Sequence, residues 1–219
     1  MIAANRVVLT PSLKVLQSDK IRFEPALPDW KMTAIHRLKM SNAIKVILVF
    51  KERFWPEGMW DVVCTDSFIP EFWMTTYPTT DHSQHLRGLC AVVCFIAGEK
   101  AERLSASMPP EEMVARSLQQ LDDLFATAAC RAPATRALHS SHVADWAKEE
   151  YVMGAYSFPS HGAEAGDRQA LAAPLDGTVF FAGEATHPAI NPCMQAAMES
   201  GLRAAGEVLA AARPAGSRL

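Results

Sequence analysis

Residues 178–205 set the tightest limit on what this chain can fold into. Val179, Phe180, Phe181 and Ala182 form a short apolar run that Gly183 stops. Such a run is the pattern of a strand buried on both faces. Asn191 is a good N-cap, and Pro192 suits the first position of a helix. Met194, Ala197, Met198, Gly201, Leu202, Ala205, Val208 and Leu209 then recur at helical spacing, with Gln195, Glu199, Arg203 and Glu207 as i,i+4 neighbours on the other face. A strand, a short loop and a capped helix in this order bring the helix's free N–H groups to the strand's carboxyl end. That arrangement can hold an anion or an electron-rich ring. Glu184 lies at this end, placed to accept hydrogen bonds from the hydroxyls of a sugar or polyol.

The rest of the chain is long enough to enclose a core around this unit. It has 219 residues, 49% hydrophobic and 21% charged, with a formal net charge of -3. Near-balanced charge argues against a dedicated nucleic-acid surface. The longest apolar run, residues 89–97, is far too short to span a bilayer, and the first residues lack the basic region and apolar core of a secretory signal. The five cysteines show no regular spacing. Cys90 and Cys94, if on one strand, stand ~13 Å apart and cannot bridge. Reduced thiols in a cytoplasmic compartment are the expectation. The pairs His82/His85 and His139/His142 have no carboxylates or thiols at metal-ligand spacing, so no metal site is expected.

Along the chain, residues 6–10 read as a strand with nothing upstream to pair with. Asp29 caps a helix running to about Met40, with Ala34, Ile35 and Leu38 inward and Lys31, Arg37 and Lys39 in water. Residues 43–50 make a strong strand that carries one charge, Lys45. Short aromatic strands follow near residues 60–65 and 72–77, a polar turn at 82–87, and a central strand at 89–97. Residues 109–128 form an amphipathic helix with Val114, Leu118, Leu121 and Phe125 on one face. Residues 140–146 read as another strand, 154–158 as an extended aromatic segment, and the tail beyond Arg213 as disordered. The fold class is α/β (α+β): a mixed-sheet domain with flanking helices, plus a C-terminal strand–helix piece of a dinucleotide-type domain, with the two domains interleaved.

Phe180-Phe-Ala-Gly-Glu-Ala-Thr186, followed by Glu199-Ser-Gly-Leu-Arg-Ala-Ala205, resembles the C-terminal flavin-binding signature of flavin-dependent amine oxidases. Two further stretches agree in order. Residues 27–50 with Phe54-Trp55-Pro56 are similar to that family's substrate-domain stretch, and Trp146 with Tyr151 and Gly154-Ala-Tyr-Ser157 is similar to its aromatic motif. Read from the residues alone, Lys45 belongs on a solvated face, since fully buried lysines are rare. The resemblance implies instead that Lys45 reaches a water near the flavin N5 atom, where a desolvated lysine can serve proton transfer. It also implies that Trp146 lines the isoalloxazine region, that Tyr156, Tyr151 and Cys193 flank the substrate, and that Gly183, Glu184, Cys193 and Met194 hold FAD. The two-tyrosine cage of monoamine oxidases is incomplete, because Cys193 stands where the second tyrosine would be. A pocket like that of polyamine oxidases or lysine demethylases is therefore closer. Ala196 replaces a glycine usual in the family. No arginine is placed to bind an amino-acid carboxylate.

By resemblance, residues 1–12 are a remnant of the FAD-binding domain, 13–145 the substrate domain, 146–212 the C-terminal part of the FAD domain, and 213–219 a tail. None of the eleven glycines forms the Gly-x-Gly-x-x-Gly turn that holds a pyrophosphate. The expected function is the C-terminal portion of an FAD-dependent amine oxidase, with an amine substrate and O2 as acceptor. The alternatives are a truncated, non-catalytic fragment or half of a split flavoprotein whose other half is a separate chain.

Overall fold

A computed structural model describes residues 3–76, 88–190 and 192–212. Asn191, the histidine pair His82/His85, the turn at 82–87 and the tail beyond Arg213 lie outside the described residues. In chain order the elements begin with β1 (Val7–Leu9), α1 (Leu13–Leu16), α2 (Asp29–Arg37), β2 (Leu38–Ser41) and β3 (Ala43–Phe50). They continue through β4 (Asp61–Val63), β5 (Glu71–Thr76), β6 (Cys90–Ala97), α3 (Gly98–Ser107), α4 (Pro110–Phe125), α5 (Pro133–Ala137) and β7 (Leu138–Asp145). The last are β8 (Tyr156–Pro159), α6 (Asp167–Ala172), β9 (Val179–Phe181) and α7 (Met194–Ala212). Together they are an α/β arrangement with both parallel and antiparallel strand pairs.

The chain divides into two compact units, one of Met1–Ser41 with Lys148–Leu219 and the other of Asn42–Ala147. Residues 13–41, grouped with the substrate domain from the sequence, cluster with the first unit.

The second unit is a five-stranded antiparallel sheet in the order β4-β5-β6-β3-β7. Burial alternates along β3. Ile44, Val46, Leu48 and Phe50 face a core shared with Phe72, Cys94, Met113 and Leu121, while Lys45, Ile47 and Val49 are half-buried on the other side. That alternation is the period of two that a sheet covered on one face by helices requires. Met113, Leu118 and Leu121 of α4 supply the cover, joined by Ala101 of α3. The buried Asp122 accepts from the backbone N–H groups of Ala134 (2.7 Å) and Thr135 (3.1 Å), satisfying donors at the start of α5. All five cysteines are free, and burial pushes the Cys94 thiol up to about 12.

The first unit joins the two ends of the chain. β1 finds its partner in β9, with Val7, Val8 and Leu9 parallel to Val179, Phe180 and Phe181. β2 pairs antiparallel with β8, Ser41 opposite Tyr156. This pairing ends α2 at Arg37, not near Met40, because Leu38 turns extended to enter the ladder. Pro28 occupies the cap position of α2 with no side-chain cap bond, and Asp29 is the first helical residue.

Lys31 corrects the sequence reading most sharply. It is fully buried, 0% exposed, and not in water. The inward face of α2 meets the carboxyl end of α6, whose last carbonyls have no partner inside that short helix. Lys31 Nζ donates to the carbonyls of Ala170 (2.9 Å), Leu171 (2.9 Å) and Ala173 (2.7 Å). It also sits 3.9 Å from the centroid of the Phe181 ring, where the aromatic face favours a cation. Burial lowers its pKa to about 8; Arg203 adds to the shift and Glu207 opposes it.

α7 turns its large apolar residues outward. Its recurring apolar residues do not face the unit's core. Ala196, Ser200 and Ala204 are the residues buried there, whereas Met194, Met198 and Leu202 are 81%, 72% and 76% exposed. Small side chains let α7 lie close on the end of β9. Ser200 Oγ accepts from the Gly183 N–H (2.8 Å), and Arg203 Nη2 donates to the Phe181 carbonyl (2.6 Å).

Replacing Lys31 with Met should cost about 2–4 kcal/mol at pH 7, because three helix-end carbonyls lose their donor. The folded-state pKa of about 8 lies below the ordinary 10.5. The unfolded chain therefore binds more protons between these values, and native stability rises with pH across that window by at most about 1.4 kcal/mol per unit. Urea unfolding of both proteins should show the gap between them widening from pH 7 to pH 10.

Candidate functional site

The carboxyl end of β9 is where the sequence placed the site. There the chain turns at Gly183, whose φ of +127° is open to glycine and strained for other residues. Glu184 follows, and its carboxylate is held firmly. Oε1 accepts from the Ser157 N–H (2.9 Å) and Oε2 from the Ser157 hydroxyl (2.7 Å). Ser157 is the inward residue of β8 and is fully buried. Its hydroxyl also accepts from Arg168 Nη1 (2.9 Å), and the same guanidinium nitrogen donates to the Ala185 carbonyl (3.1 Å). Burial lowers the Arg168 pKa, and the neighbouring Glu184 charge opposes that shift. A serine thus bridges a buried cation to the carboxylate.

Glu184 and Gly183 line a cavity of about 340 Å3 in the first unit. Leu13, Leu16, Met40, Leu171 and Phe181 form apolar walls, and Tyr151 is among the lining residues. Beyond Glu184, His187 shapes the loop toward α7. Its Nδ1 accepts from the N–H groups of Ala189 (3.2 Å) and Ile190 (2.9 Å), which leaves the proton on Nε2 for Glu199 Oε2 (2.9 Å). The first intrahelical bond of α7 runs from Ala197 N to the Cys193 carbonyl. Cys193 therefore stands at the cap position, and the N–H groups from Met194 to Ala196 are not used by the helix itself.

Lys45 and Trp146 belong to the second unit; Tyr151, Tyr156, Gly183, Glu184, Cys193 and Met194 belong to the first. Lys45 pairs across the sheet with Phe95 on one side and Ala144 on the other. Its Nζ lies 5.4 Å from the centroid of Trp73, which stacks on Phe95 at 4.7 Å. Trp73 Nε1 donates to Glu71 (2.7 Å), so this half-buried side of the sheet carries a cation, a carboxylate and two stacked rings. Trp146 follows directly after β7 and is 38% exposed. His139 and His142 lie exposed on β7, and no group of metal-ligating side chains occurs among the described residues. No helix among the described residues is long and apolar enough to cross a membrane.

Residues 2–209 match the family described as flavin containing amine oxidoreductase. The chain belongs to that family. Among curated relatives it is 34% identical to a histone demethylase-like protein A of Aspergillus fumigatus, an alignment covering 94% of this chain and 19% of that protein. It is 31% identical to polyamine oxidase 3 of Oryza sativa subsp. japonica, covering 93% of this chain and 39% of that protein. Among solved structures it superposes on cyclohexylamine oxidase from Brevibacterium oxydans with a TM-score of 0.78 at 25% identity, over 96% of this chain and 44% of that one. The chain thus spans less than half the length of each of these proteins.

The residues present fit a flavin. Each Glu184 oxygen accepts one hydrogen bond here, while an ionised carboxylate offers about four acceptor sites, so capacity remains for a polyol chain. An apolar cavity of about 340 Å3 has room for part of a dinucleotide, at the small end of ligand sites. A Cβ added at Gly183 would meet nothing within 4 Å, so the backbone there is open to close approach. Sequence reasoning named Glu184 and Gly183. It missed Arg168, which sits in an Ala- and Gly-rich stretch with no local pattern to mark it.

Ser157→Ala should lower stability by about 1–3 kcal/mol, because Arg168 and Glu184 each lose a buried partner. Ser157→Thr should recover most of the loss. Chemical denaturation of the three proteins at pH 7 measures both.

Proposed function

We propose that this chain is the substrate-binding and C-terminal flavin-binding portion of an FAD-dependent amine oxidase that oxidises a C–N bond with O2 as acceptor. The observation that carries the reading is the buried Arg168–Ser157 pair that fixes Glu184, which lines an apolar cavity at the carboxyl end of β9. The flavin, when bound, takes the electron pair and hydrogen of the amine's α-carbon and hands the electrons to dioxygen, giving peroxide.

The chain's own residues do the rest. Glu184, fixed by Ser157, accepts hydrogen bonds from cofactor hydroxyls. The unused N–H groups at the start of α7, from Met194 onward, would stabilise negative charge on a bound flavin. Gly183 lets the backbone approach, and Trp146 contributes an apolar wall. Tyr151, Tyr156 and Cys193 orient and desolvate the amine so that the reacting C–H bond is aligned. Lys45 holds a water and moves a proton through it. With Cys193 in place of a second tyrosine, one aromatic wall is missing and the smaller side chain leaves more room, which suits an extended amine such as a polyamine or an alkylated lysine. The polyamine oxidase and the demethylase-like protein among the relatives support that substrate class.

The reading is tested on the protein together with its dinucleotide-binding half, supplied with FAD. Lys45→Met should keep the flavin absorption band and slow its amine-dependent bleaching by about 100-fold or more. Glu184→Gln should weaken FAD retention about tenfold and leave the bleaching rate of the loaded fraction unchanged. An assembled protein that binds no flavin, or one whose flavin no amine bleaches, refutes the proposal.

A further inference from the structure

Arg168, on α6, is a buried cation for which the oxidase chemistry supplies no role. Only 7% of it is exposed. Taking a guanidinium out of water is costly unless its charge is matched and its donors are used. Here neither condition is fully met. Nη1 donates to two neutral oxygens, the Ser157 hydroxyl (2.9 Å) and the Ala185 carbonyl (3.1 Å), and Nη2 has no hydrogen-bond partner among the described residues. The adjacent Asp167 is engaged elsewhere, accepting from the Glu164 N–H (2.7 Å) and facing Arg37 (3.7 Å). An apolar side chain of similar length would fill the space at less cost.

Counting protons at Ser157 shows what the cation does. An arginine only donates, so Ser157 Oγ is the acceptor in their contact. A hydroxyl has one hydrogen, and with its Arg168 side taken that hydrogen points to Glu184 Oε2 (2.7 Å). The Ser157 N–H donates to Oε1 (2.9 Å). Ser157 therefore meets the carboxylate with two donors, one on each oxygen, and Arg168 sets the direction of the second. Without the cation the hydroxyl is free to turn, and because Ser157 is fully buried, bulk water does not take the place of Arg168. The charges agree with this chain of contacts, since burial works against the Arg168 cation and the Glu184 charge supports it. Glu184 lines the cavity, whereas Arg168 is not among its lining residues. An acceptor already aimed loses less freedom when a ligand hydroxyl arrives, which strengthens binding.

We infer that Arg168 is a positioning residue for the cofactor: through Ser157 it fixes the orientation in which Glu184 accepts hydrogen bonds from the hydroxyl-bearing chain of the flavin. The inference rests on the proposed function and adds to it a residue that touches neither cofactor nor substrate. It also says which part of the side chain matters. Nη1 alone makes both contacts, so a lysine, with three donors on one nitrogen, supplies the same bonds.

The test uses the same assembled protein, with FAD affinity read from flavin fluorescence. Arg168→Met should weaken FAD binding about tenfold, and Arg168→Lys should stay within about threefold of the parent. Ser157→Ala, which keeps the cation and removes the bridge, should match the loss in Arg168→Met. The double variant decides between positioning and packing. If Arg168 acts through Glu184, Arg168→Met combined with Glu184→Gln binds FAD no more weakly than Glu184→Gln alone. Losses that multiply, to about 100-fold in the double variant, assign Arg168 to packing and overturn the inference. A lysine variant as weak as the methionine one overturns it as well, and so does parental affinity in Ser157→Ala, whether or not Arg168→Met folds. Hydrogen exchange measured without FAD gives a second readout. In Arg168→Met the Ser157 amide should exchange at least about tenfold faster. The Ala182 amide, bonded to the Leu9 carbonyl (2.9 Å), should keep its protection, which shows that β1 and β9 remain paired. Unchanged exchange at Ser157 overturns the inference. An assembled protein that binds no flavin removes the proposed function and this inference together. Parental affinity in the variants, with the flavin still bleached by amine, removes the positioning role alone.

Discussion

A single ammonium group ties together pieces of chain that are far apart in sequence. Lys31, on the second helix, reaches the last carbonyls of a helix about 140 residues later and lies under the ring of Phe181 on the final strand. A buried cation is tolerable only when its donors are all used, and here three carbonyls and an aromatic face use them. Its position links α2, α6 and β9 into one body. Because Phe181 leads within two residues to Gly183 and three to Glu184, the cavity wall inherits its placement from this contact. Arg203 works from the other side, holding the Phe181 carbonyl while paired with Glu207.

Regular elements with strong periodicity were legible in the sequence. The strand at 43–50, the central strand at 90–97, the amphipathic α4 and the final strand–helix unit all stand close to where the pattern put them. The short helices α3 and α6 were not read, because their composition is mixed and their starts carry no side-chain cap. Lys31 was misread for a general reason. Spacing tells which residues share a face, but not what a charged member of that face will meet. Only the approach of α6 turns a wet lysine into a buried one. The same limit applies to α7, where the stripe was visible but its direction was not. Alanine and serine on the opposite face won the contact with β9, since their small size allows close approach.

The candidate site was legible in its residue types and less so in its wiring. Glu184 announced itself by its place after an apolar strand and a glycine. Its supports did not: Ser157 looked like the end of an aromatic motif, and no pattern marked Arg168. The relay they form explains why a carboxylate can sit at an apolar cavity wall with its oxygens already aimed. Lys45 was legible as an anomaly in its strand. The structure gives it the rings of Trp73 and Phe95 as neighbours, which come from β5 and β6 through the register of the sheet.

The five-stranded unit is inserted into the first, leaving it after β2 and returning just before β8. Those two flanking strands are themselves paired, so the gap in the host is closed by a ladder that the inserted unit does not help to form. Such a module can drift or be exchanged during evolution while the host keeps its own hydrogen bonds. Substitutions in the insertion can then accumulate without disturbing the ladder of the host, which is held by the separate demands of its own packing.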